Sequence, residues 1–282
     1  MSTELVNLSA IGALATVGGL DEDTLAVAGG NRQGNKRLSI KGSVFRKYAG
    51  GKEIGAIEDR HMNVIIVKMA HKASRMYYDK GYREGEKVSP ACWSSDSETP
   101  DADVKTPAAS SCATCVNSAK GSGDNGIGAK CKLSWRTAVV LPNDPAGDVM
   151  QLVLPATSAF GKEDNGRWPF RPYIQHLASH NVSAGRVVTK MAFDTKSPTP
   201  KVLFAPVGAV SDADLEIIAR QAKSPAAEAA IKLNVFQSDS TGDAEVAQPA
   251  EAVAEPVKRE SKAAAGEKAS DVSDIVKKWS KK

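Results

Sequence analysis

The chain has 282 residues, 37 Lys and Arg against 33 Asp and Glu, and a formal net charge of +4. So small a charge does not by itself argue for a polyanionic partner, and no apolar run approaches the ~20 residues that cross a bilayer. The length allows one large domain or two small ones, and with only 5% aromatic residues the position of each aromatic carries information.

Residues 1–35 read as a flexible segment of small residues with Gly18-Gly19, Gly29-Gly30 and Asp21-Glu22-Asp23, and no signal peptide is expected there. Between Asn31 and Lys52 stand Arg32, Lys36, Arg37, Lys41, Arg46, Lys47 and Lys52 with no acid among them, a basic face suited to an anion. Arg37 to Tyr48 alternates polar and apolar residues, the period of a half-buried strand. Ala49-Gly50-Gly51 predicts a hairpin turn into a strand over Lys52–Ile57. Met62 to Ala70 is rich in β-branched residues and predicts a buried strand, and Ser74–Tyr78 a further one.

Beyond a polar stretch from Ser94 to Lys130, strands are expected at Leu133–Leu141 and Val149–Leu154, joined by the turn signal Pro142-Asn-Asp-Pro-Ala-Gly147. Trp168–His180 predicts a helix with Tyr173, Ile174 and Leu177 on one face. Two strands follow, Arg186–Asp194 and Lys201–Val207. Ser211 caps a helix through about Ala222, and a short one is expected over Ala226–Leu233. From Gln237 the composition turns to an acidic, Ala-rich stretch and then a mainly basic one, which predicts a disordered tail over 237–282. At its tip, Asp271–Trp279 has the apolar spacing of a short amphipathic helix, read either as a docking peptide or as a fraying end. The expected fold is mainly β with peripheral helices: an OB-like antiparallel barrel over 36–236 with a Cys-rich loop inserted at 92–131.

All four cysteines of the chain, Cys92, Cys112, Cys115 and Cys131, lie in that insertion. A two-residue spacer lets one tight turn supply two thiolates, and four thiolates suit tetrahedral Zn²⁺. The stretch between them has almost nothing large and apolar to bury, so a metal would staple it. Two disulfides, unrelated thiols, a Cys-x-x-Cys redox pair and an iron–sulfur cluster are the alternatives.

Basic and aromatic residues are adjacent at Phe45-Arg-Lys-Tyr48, Arg75-Met-Tyr77, Trp135-Arg136 and Arg167-Trp-Pro-Phe-Arg171. Single-stranded nucleic acid offers π-faces and phosphates to such a mixture. Arg37, Lys41, Arg46, Lys47, Arg75 and Arg136 are the candidate phosphate contacts. Phe45, Tyr48, Tyr77 and Trp135 are the candidate stacking platforms, with core packing as the competing role for each. Alternation makes either Phe45 with Lys47 or Arg46 with Tyr48 a pair on the binding face. Catalytic patterns are lacking. Gly121-Ser-Gly-Asp-Asn-Gly126 matches G-x-G-x-x-G without a flanking strand and helix, and His176 and His180 have no H-E-x-x-H context. The expectation is a non-enzymatic protein.

The runs Gly34-Asn-Lys-Arg-Leu-Ser-Ile-Lys-Gly-Ser-Val-Phe-Arg46, Arg60-His-Met-Asn-Val-Ile-Ile-Val67, Ser74-Arg-Met-Tyr-Tyr78, Pro90-Ala-Cys92-Trp-Ser, Cys112-x-x-Cys115 and Lys190-Met-Ala-Phe-Asp194 resemble a group of bacteriophage single-stranded DNA-binding or replication-associated proteins. The resemblance covers about residues 34–235. It implies an OB-type, zinc-bearing protein that protects and organises single-stranded DNA in the cytoplasm of a bacterial host. Phage replication proteins would be partners through the tail, and a homo-oligomer is possible. The tail departs from the acidic ending of many such proteins, being acidic first and basic last. The rival reading is a zinc-stabilised protein-interaction cofactor of a phage polymerase or transcription complex.

Overall fold

Val64-Ile-Ile-Val67 places four β-branched residues in a row, a run that is stiff at χ1 and suited to a pleated surface. All four are buried, so both faces of this strand are covered. It is the centre of β4 (His61–Met69). The computed structural model describes residues 36–79, 89–124 and 126–235. All of these belong to the first of two units, Met1–Glu245, the other being Val246–Lys282. The expectations for 1–35, for the 237–282 tail and for its Asp271–Trp279 helix fall outside the described residues.

Around β4 the described strands are β1 (Arg37–Ser39), β2 (Phe45–Ala49), β3 (Lys52–Ile57), β5 (Ser74–Tyr77), β6 (Cys92–Ser94), β7 (Lys132–Val140), β8 (Met150–Pro155), β9 (Val187–Phe193) and β10 (Val202–Ala209). The helices are α1 (Ala156–Ala159), α2 (Phe170–Ser179), α3 (Asp212–Lys223) and α4 (Pro225–Ile231). The strands form one sheet in the order β10-β9-β4-β7-β8-β1-β2-β3, with β5 also on β7 and β6 on β5. Pairing is antiparallel except between β1 and β8.

The strand expected over Arg37–Tyr48 is broken in two. A 3-10 turn at Lys41–Ser43, with Gly42 at φ 70° and Ser43 at φ 57°, folds β2 back on β1 in the register Arg37↔Tyr48 and Ser39↔Arg46. The sequence carries a trace of this. Buried Leu38 and Ile40 are even-numbered and buried Phe45 is odd, and such a switch of parity needs a turn or bulge between them. The Gly50-Gly51 hairpin forms as expected, both glycines lying at positive φ (58° and 81°), as a two-residue type I′ turn requires.

The sheet is curled. Phe45 of β2 and Phe193 of β9 have ring centroids 4.4 Å apart, yet five strand steps separate them along the sheet order. In a flat sheet that separation would be roughly 24 Å. Only a half-barrel brings the two strands face to face. Its concave side holds the main core, where Leu38, Phe45, Val64, Leu152, Met191 and Phe204 meet Phe170, Tyr173 and Leu177 of α2. Tyr173 is buried, its hydroxyl 2.8 Å from Thr189 Oγ1, and burial pushes its pKa up. The convex side carries a second core in which Ile65, Ala138 and Val140 pack under Ile218 of α3 and Ala227 and Ala230 of α4. Gln151 anchors α4 by donating from Nε2 to the Ala230 carbonyl at 2.8 Å.

Candidate functional site

On the convex side, the β1–β2 register sets Arg37, Arg46 and Tyr48 on one face. The Arg37 guanidinium lies 5.2 Å from the Tyr48 ring centroid, a cation–π distance. Of the two pairs left by alternation, Arg46 and Tyr48 share the convex face, whereas Phe45 points into the concave core. Glu53 of β3 joins them: Arg46 donates to both its carboxylate oxygens (2.8 and 3.1 Å) and the Tyr48 hydroxyl donates to Oε2 (3.3 Å). This acid offsets part of the positive charge while fixing the geometry of both side chains. Its role was not foreseen, although a two-residue turn at Gly50-Gly51 brings Glu53 back beside β2. Lys41 sits in the turn between β1 and β2, and Lys47, opposite Leu38, stands on the other face.

Several expected contacts are placed elsewhere. Phe45 is fully buried against Phe193, so it is a core residue and not a stacking platform. Trp135 is packed on the concave core beside Phe160 and Phe170, and its Nε1 donates to the Ala70 carbonyl at 2.8 Å. Its indole is thus committed on both its apolar and polar sides. Arg136 is buried on the convex side, bonded to the Ser74 and Ser134 hydroxyls, and so is no surface cation. Trp135 and Arg136 lie on β7, a central strand covered on both faces, and Phe45 points from β2 into the concave core, so adjacency in sequence gives no common exposure.

Arg75 and Tyr77 belong to the cysteine region. Strand β5 pairs with β6 in the register Arg75↔Ser94 and Tyr77↔Cys92, and with β7 through Arg75↔Leu133. One face of this small three-stranded patch therefore carries Arg75, Tyr77, Cys92 and Ser94. Cys131 lies immediately before β7, its amide bonded to Asn117 O at 2.7 Å, while the Cys112 amide donates to Glu98 O at 2.9 Å. Together these bonds fold the polar insertion back over the patch. All four cysteines line a single cavity of about 10 Å³, with Arg75, Tyr77, Ser94 and Ser118 in its wall. That is room for about one water-sized sphere.

The chemistry of this pocket fits a thiophilic cation. All four sulfurs are free thiols, with no disulfide among them. Burial pushes Cys131 up to about 11 and also raises Cys112, while the Arg75 charge pulls both down. Arg75 Nε and Ser118 Oγ are buried with no hydrogen-bond partner, although Ser118 lies close enough to Cys131 to lower its pKa. Such donors are what a cluster of thiolates would accept from. Among the described residues, no group of three or more Cys, His, Asp and Glu is set at metal-ligand spacing. The four thiols share a cavity without being drawn onto a common point.

No protein family, curated protein or solved structure matches the chain. The resemblance to phage replication proteins therefore rests on the motifs in the sequence. No helix among the described residues is long and apolar enough to cross a membrane.

Proposed function

We propose that this is a sequence-tolerant, non-enzymatic single-stranded DNA-binding protein of a phage, built on an OB-like curled β-sheet and acting in replication or recombination in the host cytoplasm. The observation that carries this reading is the face shared by Arg37, Arg46 and Tyr48. It sets two guanidinium groups beside one aromatic ring on neighbouring strands, Arg46 shared with Glu53 and Arg37 over the Tyr48 ring, a mixture suited to phosphates and bases. Lys41, in the turn beside them, extends the positive surface. In the same reading Cys92, Cys112, Cys115 and Cys131 hold one structural Zn²⁺. The cavity of about 10 Å³ suits a single ion better than an iron–sulfur cluster. Held by these four thiolates, such an ion would tie the polar loop to β6 and to the start of β7. Binding of the strand is assigned to the β1–β2 face.

A titration of oligo-dT against the protein at two salt concentrations tests this. Binding tighter than tens of micromolar that weakens steeply as salt rises is expected. Tyr48→Ala should lower affinity by roughly tenfold, since a base stacked on an aromatic contributes about 1–3 kcal/mol. Absent or salt-independent binding would sink the reading.

One observation favours the interaction-cofactor reading instead. Strand β3 is an edge of the sheet among the described residues, and its Ile54 is 60% exposed. Open edges of this kind accept a partner strand. A protein that fails the oligo-dT titration but is captured through β3 would belong to that class.

A further inference from the structure

A second cavity, of about 340 Å³, opens on the convex side where α4 ends, lined by Ala70, Lys72, Ser74, Ser95, Arg136, Ile231, Lys232 and Leu233. It brings together three basic side chains from three distant parts of the chain, Lys72, Arg136 and Lys232, and no acid stands among the described residues of its wall. Its floor is built from the middle of the sheet. Arg136 is only 2% exposed, and its guanidinium donates to the hydroxyl oxygens of Ser74 and Ser134. The Ser74 hydroxyl in turn donates to the Ser134 carbonyl at 3.4 Å, so the serines serve to hold the guanidinium in place. At the rim, Lys72 is held by Glu98 at 2.8 Å and by Asp96 at 3.9 Å, which fix its ammonium and offset part of its charge. Lys232 is exposed and follows α4 directly. A guanidinium and two ammonium groups converging on a cavity of ligand size make a site for a compact oxyanion.

We infer that this cavity binds a phosphate group, and, resting on the reading above, that the phosphate belongs to the same single strand that crosses the β1–β2 face. The register supports the connection. Arg37 is opposite Gln151, Gln151 is opposite Ala138, and Arg136 lies two residues before Ala138 on β7. Arg37 and Arg136 therefore share the convex side, roughly 12 Å apart by strand and residue spacing. That is well within a strand of the about 4–16 nucleotides that such folds hold. The end of α4, anchored on Gln151, separates the two positions, so the strand would pass beside it.

The full-length protein tests both parts. Lys232→Gln removes one exposed charge with no effect expected on folding. It should weaken oligo-dT binding several-fold and lower the slope of log affinity against log salt by about 0.7, the contribution of one phosphate contact on single strands. Tyr48→Ala should weaken binding with the slope unchanged, which separates stacking from phosphate contact. In parallel, inorganic phosphate at constant ionic strength should shift the Arg136 Nε–H resonance in the native protein. Phosphate shifts with an unaltered oligo-dT slope in Lys232→Gln would mean a site for a free phosphate, overturning the connection to the strand. No phosphate shift and no slope change, in a protein that binds oligo-dT normally, would overturn the inference and leave the DNA reading standing. Failure of the native protein to bind oligo-dT would sink that reading, and the phosphate titration would then decide the cavity alone.

Discussion

Phe45 and Arg46 are neighbours with opposite surroundings, because successive side chains of a strand point to opposite faces. Phe45 fills the concave core against Phe193, and Arg46 reaches Glu53 on the convex side. Phe45→Ala should therefore destabilise the fold by about 3–5 kcal/mol, read as a fall in Tm. Phe45→Leu should retain most of the stability and leave oligo-dT affinity unchanged. A loss of affinity in a folded Phe45→Leu protein would restore this ring as a base platform. Arg75 poses the parallel question for the thiol pocket. Its buried Nε has no hydrogen-bond partner, and its charge bears on both buried cysteines. On the zinc reading, Arg75→Gln should weaken the metal by about 10–100-fold, the usual effect of losing a group that supports the ligands. Competition with a chromogenic chelator measures this, and an unchanged affinity in the folded variant would remove Arg75 from the metal site.

At the scale of elements, the β9–β10 connection shows how a local charge pair closes a hairpin. Asp194, just past β9, accepts from Lys201 Nζ at 2.9 Å and from the Lys196 amide at 2.9 Å, while its own amide bonds the Lys201 carbonyl at 2.8 Å. The Lys201 hydrogen bond holds the Asp194 carboxyl below the ordinary range. A carboxyl whose folded pKa is depressed stabilises the fold above its unfolded value, about pH 4, and that stability is lost as pH falls through the lower folded value. The Tm difference between the native protein and Asp194→Asn should thus be constant from neutral pH down to about pH 4 and close below it. A difference that persists in stronger acid would show that the pair contributes nothing through ionisation. The connection of β1 to β2 illustrates what spacing alone conceals. Gly42 lies inside an apparently continuous alternation, and only the change of parity between Ile40 and Phe45 betrays the turn.

For the whole molecule, the central question is what keeps the insertion between β5 and β7 folded. Among its described residues the buried apolar side chains are few, Pro90, Val104, Cys112 and Cys131, along with backbone bonds such as Cys131 N to Asn117 O. So few small residues supply little burial energy against the ordering of so long a loop. If a metal makes up the difference, the double variant Cys112→Ser, Cys115→Ser should lose zinc and become protease-sensitive within 94–130. The rest of the sheet should melt at nearly the native temperature. Metal-free protein that is equally resistant to protease would show that hydrogen bonding alone holds the loop. The same frame bears on DNA binding, because β5 links the thiol patch on one side to Ser74 and the phosphate-sized cavity on the other.

Much of this architecture is written locally. The β-branched run of β4, the glycine pair of the β2–β3 turn, the apolar face of α2 and the punctuation before α3 each follow from short-range sterics and periodicity, so local chemistry alone places most strands and helices. The clustering of the four cysteines predicts a four-thiolate metal site, and the structure brings all four to one cavity without setting them at metal-ligand spacing. Alternation gives two faces to every strand but does not say which one the core will take. That choice depends on neighbours distant in sequence: the parallel pairing of β1 with β8, the curl that sets Phe45 on Phe193, and the helix α4 lying across Gln151. Only the tertiary structure could therefore bury Phe45 and Arg136, turn Arg75 towards the thiols, and leave Arg37, Arg46 and Tyr48 together on one face.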